Sequence, residues 1–379
     1  MDSQGKEHMN IASNNLVAPT SLIRTTPPTP TWLGDVVGEA LDHIKATEDL
    51  SYLMRTHKFQ GTDEDKAVGA NWLAARFGTQ LDSSRIIVTN GTQNALFLTL
   101  NCAVGRGNIM LAEDVGYYGV RKLAKLLGIE VVPVKTDSDG PVPDAFQQAC
   151  DTFKPKGLFL TPTLHNPTTR IMSLERRQAL AEVARKNGVV LIEDDVYGML
   201  PEIVPPPLSA LAPDVTWHAT GPAKCMAPGL RIGYLVAPGK EEVERAYEPV
   251  NTASTWFVSP LSASIMKFWV ESGIAARLLG AIRDEARERQ RLANEIFGEA
   301  PRLTHPDSLF LWLSLPSKWS DAGFVEAAQQ RNVVIRPGSL FSVDPSVDSK
   351  ATRIVLGAPE TREKLAEALT VISELVQQK

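Results

Sequence analysis

From Arg85 to Val236, short apolar runs alternate with segments of helical periodicity, and this rhythm constrains the fold more than any other feature of the chain. RIIVT, NIMLA, IEVVPV and KGLFLT are each followed by a helix-like stretch, and GVVLIE, VTWHAT and LRIGYLV supply three further runs. A strand that is apolar along its whole length must be covered on both faces, which is the situation of a parallel sheet between two helical layers. Helices are expected at Trp32–Lys45, Asp63–Phe77, from about Thr92, through Leu127, and at Pro143–Cys150 and Ser173–Lys186, from apolar residues recurring at helical spacing. The preceding RTTPPTPT reads as an extended arm, because consecutive prolines disfavour helix and central strand alike.

After Pro238 the pattern changes to longer helices, at Glu241–Tyr247, Pro260–Glu271 and Gly273–Phe297. Three short strands follow, in SLFLWLSL, NVVIRP and TRIVLG, with a helix between the first two and a terminal helix over Pro359–Val376. The expected architecture is α/β: a mostly parallel central sheet with helices on both faces, plus a smaller α+β domain. The expected division is an N-terminal arm and helix over residues 1–54 packing with the small domain, a large domain over 55–250, and a small C-terminal domain over 251–379.

Charge and cysteine usage narrow the function. Lys and Arg total 39 against 44 Asp and Glu, a net charge of −5 that gives no case for nucleic-acid binding. The polar start and the absence of any run of 18 apolar residues argue against a membrane protein and for a cytoplasmic one. Cys102, Cys150 and Cys225 are scattered without C-x-x-C spacing, and no metal site is expected.

Four stretches carry residues with chemical potential. Asn90-Gly91-Thr92-Gln93 follows the strand RIIVT, and Gly91 permits a tight turn into a helix start whose free N–H groups suit a phosphate; an ordinary capped turn is the alternative. Glu193-Asp194-Asp195-Val196-Tyr197 ends the run GVVLI, at the carboxyl edge where open α/β sheets bind ligands. Two adjacent acids there suit a metal, a protonated ring nitrogen, or a helix cap. Lys224 lies between two β-like runs among residues of little polarity, as a desolvated amine for Schiff-base chemistry would, or as a surface lysine would; Arg231, seven residues on, is suited to a phosphate. Arg353 sits inside the β run TRIVLG and calls for a carboxylate partner, either substrate or structural.

Taken in order, Gly91-Thr92-Gln93, Glu113…Tyr117, Asn166-Pro167-Thr168, Asp195-x-Tyr197, Lys224, Pro228-Gly229-Leu230-Arg231-x-Gly233-Tyr234 and Arg353 resemble the fold-type I pyridoxal-phosphate aminotransferases. The resemblance is to the class I/II branch that includes 2-aminoadipate and aromatic aminotransferases and the catalytic domains of MocR-type regulators, and it covers roughly residues 30–375. It implies pyridoxal 5'-phosphate held covalently by Lys224, which would also shuttle the substrate proton. It implies Asp195 on the pyridine nitrogen, Tyr197 and Asn166 on the phenolic oxygen, and Tyr117 stacked on the ring. Gly91, Thr92, Gln93 and Arg231 would hold the phosphate, with Thr220 assisting, and Arg353 the substrate α-carboxylate. Arg24 would meet a second carboxylate or be a surface arginine, and Trp32 and Phe59 would line an apolar side-chain pocket or pack in the core.

Three departures from the family pattern stand out. Gly221-Pro222-Ala223 replaces the usual Ser-x-Ser before the lysine, Thr169 replaces the glycine of Asn-Pro-Thr-Gly, and the stretch Arg55-Thr56-His57-Lys58-Phe59-Gln60-Gly61 lacks the tyrosine that the family often places just upstream of a glycine. The implied activity is transfer of an amino group from an L-amino acid to a 2-oxo acid by a ping-pong route through the pyridoxamine phosphate form. The alternatives are a lyase, cyclase or decarboxylase using the same cofactor, and a non-catalytic ligand-binding protein on the same fold. With about 30 residues before the first helix, the chain resembles the stand-alone enzyme and not the regulator, and a homodimer is implied.

Overall fold

A computed structural model of the chain describes residues 18–56, 60–253, 258–344, 346 and 348–378. Its centre is a seven-stranded sheet in the order Ile86–Thr89, Gly233–Val236, Thr216–Thr220, Val190–Asp194, Gly157–Leu160, Ile109–Glu113, Glu130–Val134. All pairings are parallel except those of Gly233–Val236, which runs antiparallel to both neighbours. Alternate residues feed opposite cores, as the strand repeat of two requires. Phe159 and Ile192 join a cluster with Leu96 and Val120, from the helices Thr92–Thr99 and Tyr118–Leu127. Leu158, Leu160 and Leu191 join Phe146 and Leu180, from the helices Pro143–Phe153 and Leu174–Asn187. The apolar runs are thus strands buried on both faces, except Glu130–Val134, which forms an edge of the sheet with Glu130 and Pro133 exposed.

The helix Asp63–Phe77 has the limits expected from its periodicity, and Thr62 starts it with a reciprocal capping box to Asp65. The helix Leu33–Thr47 packs on Pro260–Glu271, where Trp269 Nε1 donates to Val36 O at 3.1 Å. A second sheet of four antiparallel strands follows the order Arg302–Leu303, Phe310–Ser314, Ala351–Val355, Arg336–Pro337. Leu311, Leu313 and Ile354 bury one face of it against Phe297, Phe324 and Leu369 of the helices Ile274–Phe297, Asp321–Gln330 and Arg362–Gln377.

The run NVVIRP is two strands and not one. Val333–Val334 pairs in parallel with Thr20–Ser21, whereas Arg336–Pro337 joins the second sheet. The extended arm is therefore tied down: Leu22 is fully buried, its N–H bonds Val334 O, and its carbonyl accepts from Val355 N. Among the described residues no helix is long and apolar enough to cross a membrane, and no cluster of His, Cys, Asp or Glu could hold a metal ion.

Candidate active site

Segments that follow the carboxyl ends of the strands Ile86–Thr89, Gly157–Leu160, Val190–Asp194 and Thr216–Thr220 converge on a cavity of about 470 Å³. Arg336 and Arg353 of the second sheet close it from the other side, together with Ile23–Thr26 of the arm.

At one end, Gly91 turns the chain into the helix Thr92–Thr99 with φ +82°, a conformation that favours glycine, close against Arg231. A Cβ on Gly91 would lie 3.3 Å from Arg231 Nη2, which itself donates to Asn90 O. The first helical N–H groups have no intrahelical acceptor. Beside them Thr92 Oγ1 is buried without a hydrogen-bond partner. Gln93 Nε2 donates to Tyr117 Oη at 2.6 Å, fixing the aromatic wall, and burial raises the Tyr117 hydroxyl above its ordinary pKa.

In the middle, Lys224 Nζ donates to Thr25 O at 2.6 Å, and Tyr197 Oη donates to Thr25 Oγ1 at 3.1 Å. Desolvation, reinforced by Arg353 and opposed by Asp194, pushes the Lys224 amine down to about 8. Burial pushes Tyr197 up to about 12. The acid on this cavity is Asp194, and the expectation for Asp195 is corrected. Successive residues of a strand face opposite ways. Glu193 turns under the sheet to accept from Leu208 N, Ser209 N and His218 Nδ1, and Asp194 turns into the cavity. Asp195 is buried beneath, where its Oδ2 accepts from Arg76 Nε at 2.8 Å. Asp194 has no ion-pair partner among the described residues and accepts only a long bond from Val196 N. Burial, countered by that N–H and aided by the neighbouring Asp195 charge, pushes it up to about 7.

At the far side, Arg353 Nη1 donates to Asn166 Oδ1 at 2.8 Å and Nη2 to Ile23 O at 2.6 Å. Asn166 is held by its loop: His165 Nε2 lies 3.0 Å from Glu113 Oε2, and Arg170 pairs with the same carboxylate. Burial works against the Glu113 charge, but His165 and Arg170 outweigh it and hold the group below the usual carboxylate range.

The model of the family "Aminotransferase class I and II" matches residues 34–372. The chain belongs to the class I and II aminotransferase family. An uncharacterized HTH-type transcriptional regulator of Bacillus subtilis, YdeF, is 32% identical over 306 residues, covering 80% of this chain and 65% of the regulator. The chain thus spans less than two thirds of that relative's length. The 2-aminoadipate transaminase of Thermus thermophilus is 26% identical over 327 residues, with 82% of this chain and 80% of that one covered. Among solved structures, Pyrococcus horikoshii kynurenine aminotransferase superposes with a TM-score of 0.84 at 20% identity, over 96% of this chain and 91% of that one. The fold is that of the fold-type I aminotransferases.

Against the family pattern, the cavity gathers Gly91, Thr92, Gln93, Tyr117, Asn166 and Tyr197, and with them Lys224, Arg231, Arg353 and Arg24. It leaves out Asp195 and also Thr220, a second correction: the Thr220 hydroxyl is buried and donates to Asp195 O at 3.1 Å. Trp32 is likewise absent from the cavity wall and packs on the core under the Arg277 guanidinium, 4.0 Å from its ring centroid. Phe59 and His57 lie outside the described residues. Thr169, which stands where the family motif has glycine, takes φ +63°, a left-handed backbone that favours glycine. Sequence reasoning missed Thr25, Tyr118, Thr161 and Arg336 on the cavity. For Arg336 the signal was available, since it interrupts the β run NVVIRP as Arg353 interrupts TRIVLG.

Proposed function

We propose that the chain binds pyridoxal 5'-phosphate in this cavity and transfers an amino group from an L-amino acid to a 2-oxo acid. The observation that carries the reading is the pairing, on one cavity, of an amine of lowered basicity, Lys224, with a buried carboxyl that lacks a cation, Asp194. The orphaned hydroxyls of Thr92 and Thr161 add to the fit, because both are buried polar atoms waiting for a partner.

When bound, the cofactor supplies an electron-withdrawing ring that makes the substrate Cα–H acidic. The chain's residues do the rest. Lys224 would hold the cofactor and would carry a proton to and from the substrate Cα, tasks that suit an amine whose basicity is lowered by burial. Asp194 replaces Asp195 as the partner that keeps the ring nitrogen protonated. Tyr197 and Asn166 donate toward the ring hydroxyl side, Tyr117 supplies a stacking face, and Arg231 with the start of the helix Thr92–Thr99 receives the phosphate. Arg353 binds the α-carboxylate and so sets which Cα bond is aligned for cleavage. The reading includes the large domain over 55–250, the small domain over 251–379 with the arm, a cytoplasmic location and a homodimer.

The test is reconstitution with pyridoxal 5'-phosphate. Borohydride reduction should fix one cofactor mass on Lys224, and Lys224→Ala should lose both the adduct and the near-visible absorbance. Single amino acids added without an acceptor should then release one equivalent of 2-oxo acid per site. Release far beyond one equivalent would make the enzyme a lyase, and absence of any covalent link would overturn the proposal.

A further inference from the structure

Arg336 and Arg353 are directly opposed partners on neighbouring antiparallel strands, and both line the cavity. Opposed residues of such a pair point to one face of the sheet, and like charges placed so repel each other. Among the described residues no carboxylate pairs with either guanidinium. Arg353 contacts only neutral acceptors, Asn166 Oδ1 and Ile23 O, and its Nε has no partner. Among the described residues the Arg336 side chain makes no hydrogen bond or ion pair; its Nε is buried without a partner and its guanidinium lies 5.7 Å from the centroid of Tyr118. Tyr118 in turn meets Phe341 edge-on, and Phe341 lies under the Arg353 guanidinium at 4.8 Å. Two cations therefore flank one aromatic wall with no acid between them.

The charges around the cavity can be followed to their uses. Its walls carry Lys224, Arg24, Arg231, Arg336 and Arg353, and Asp194 is the one acid among them. On the function proposed above, Lys224 and Asp194 engage the cofactor, Arg231 its phosphate, and Arg353 the α-carboxylate. Arg336 is left over, directly opposite Arg353 of the α-carboxylate site. Arg24 is also left over, but it is exposed, so water screens it. A partly buried guanidinium with an unsatisfied donor discriminates more sharply, because a ligand lacking the matching anion leaves it unpaired.

We propose that Arg336 is a specificity-determining residue that binds a second carboxylate, and that the substrates are dicarboxylic amino acids and their 2-oxo acids. The assignment rests on the aminotransferase reading, and its test separates the two. With cofactor-loaded protein, half-reaction rates are measured for aspartate, glutamate and 2-aminoadipate against norvaline and norleucine. The wild type should prefer the best dicarboxylic acid at least tenfold in kcat/KM. Arg336→Gln should abolish that preference, and Arg336→Lys should restore part of it. Calorimetry with the unreactive pair glutarate and butyrate gives a readout independent of turnover: glutarate should bind the wild type more tightly, and Arg336→Gln should erase the difference. A preference unmoved by Arg336→Gln, or both substrate classes falling together, overturns the assignment, as does a wild type that binds glutarate no better than butyrate. No spectral change with any amino acid, alongside an Arg336-dependent glutarate preference, would sink the transaminase reading and leave the carboxylate site standing.

Discussion

Asp194 and Asp195 are adjacent, buried and chemically alike, yet the backbone gives them opposite work. In the strand Val190–Asp194, Leu191 and Glu193 share one face and Ile192 and Asp194 the other, so the repeat of two sends Asp194 to the cavity. The sequence contained that alternation, but not the side on which Arg76 waits, because Arg76 lies 119 positions away and only the fold brings it to Asp195. The two acids should respond oppositely to amide substitution. Folded cofactor-free protein keeps a proton on Asp194 up to about pH 7, whereas the unfolded chain releases it near the ordinary carboxylate value. The native state thus binds more protons across this window, and the unfolding free energy falls as pH rises through it. Asp194→Asn removes that loss, so its melting temperature relative to wild type should climb by several degrees from pH 5 to pH 8. Asp195→Asn leaves the buried Arg76 without its counter-ion and should cost about 3–5 kcal/mol at either pH. Melting curves of the apoproteins over this range decide the matter, and a pH-dependent gain in the Asp195 variant with none in the Asp194 variant would reverse the assignment.

Long elements were legible and short ones were not, for a reason of scale. The helix Asp63–Phe77 declares itself by its period and the strand Ile109–Glu113 by an unbroken apolar run. The two-residue pairs Thr20–Ser21 with Val333–Val334 and Thr136–Asp137 with Gly140–Pro141 carry no such signal, and neither does the six-residue helix Leu50–Arg55. The contribution of the arm to the site, through Thr25 O and Ile23 O, was invisible for the same reason: backbone carbonyls have no sequence signature. Gly233 shows how tightly two elements can be coupled. It pairs with Thr89 at the end of its strand, and a Cβ there would stand 2.7 Å from Gly91 C and 2.9 Å from Gly91 Cα. Those are backbone atoms of the turn that heads the helix Thr92–Thr99, and they cannot swing aside as a flexible side chain would. Gly233→Ala should therefore destabilise the protein by roughly 2–3 kcal/mol and weaken cofactor affinity more than it slows turnover of the loaded enzyme. Denaturant titration and cofactor binding measured together check this; a stable variant with ordinary affinity would show that the turn has room to move.

For the molecule as a whole, the helix Leu50–Arg55 raises the question of what covers it. Six residues do not hold a helix in water without tertiary contacts, and only Leu53 of this one is buried. Leu50 at 44%, Tyr52 at 67% and Met54 at 76% exposure leave three large apolar side chains open along it, Leu50 and Met54 on one face and Tyr52 on another. An isolated exposed apolar residue is unremarkable, whereas a cluster on a marginal helix has the character of an interface centre. The occupant expected is a second copy of the chain, since a homodimer is part of the proposed function. A stable dimer buries about 800 Å² on each partner, and apolar anchors near its centre carry most of the affinity. Charges placed there must be desolvated without a counter-ion. Light scattering of the wild type should therefore report twice the 41.3 kDa chain mass. The double variant Tyr52→Glu with Met54→Glu should shift to the mass of one chain at micromolar concentration, with its far-ultraviolet spectrum preserved because both positions are exposed in the single chain. A double variant that stays dimeric would place the interface elsewhere, and a wild type that weighs one chain would remove the dimer from the proposal.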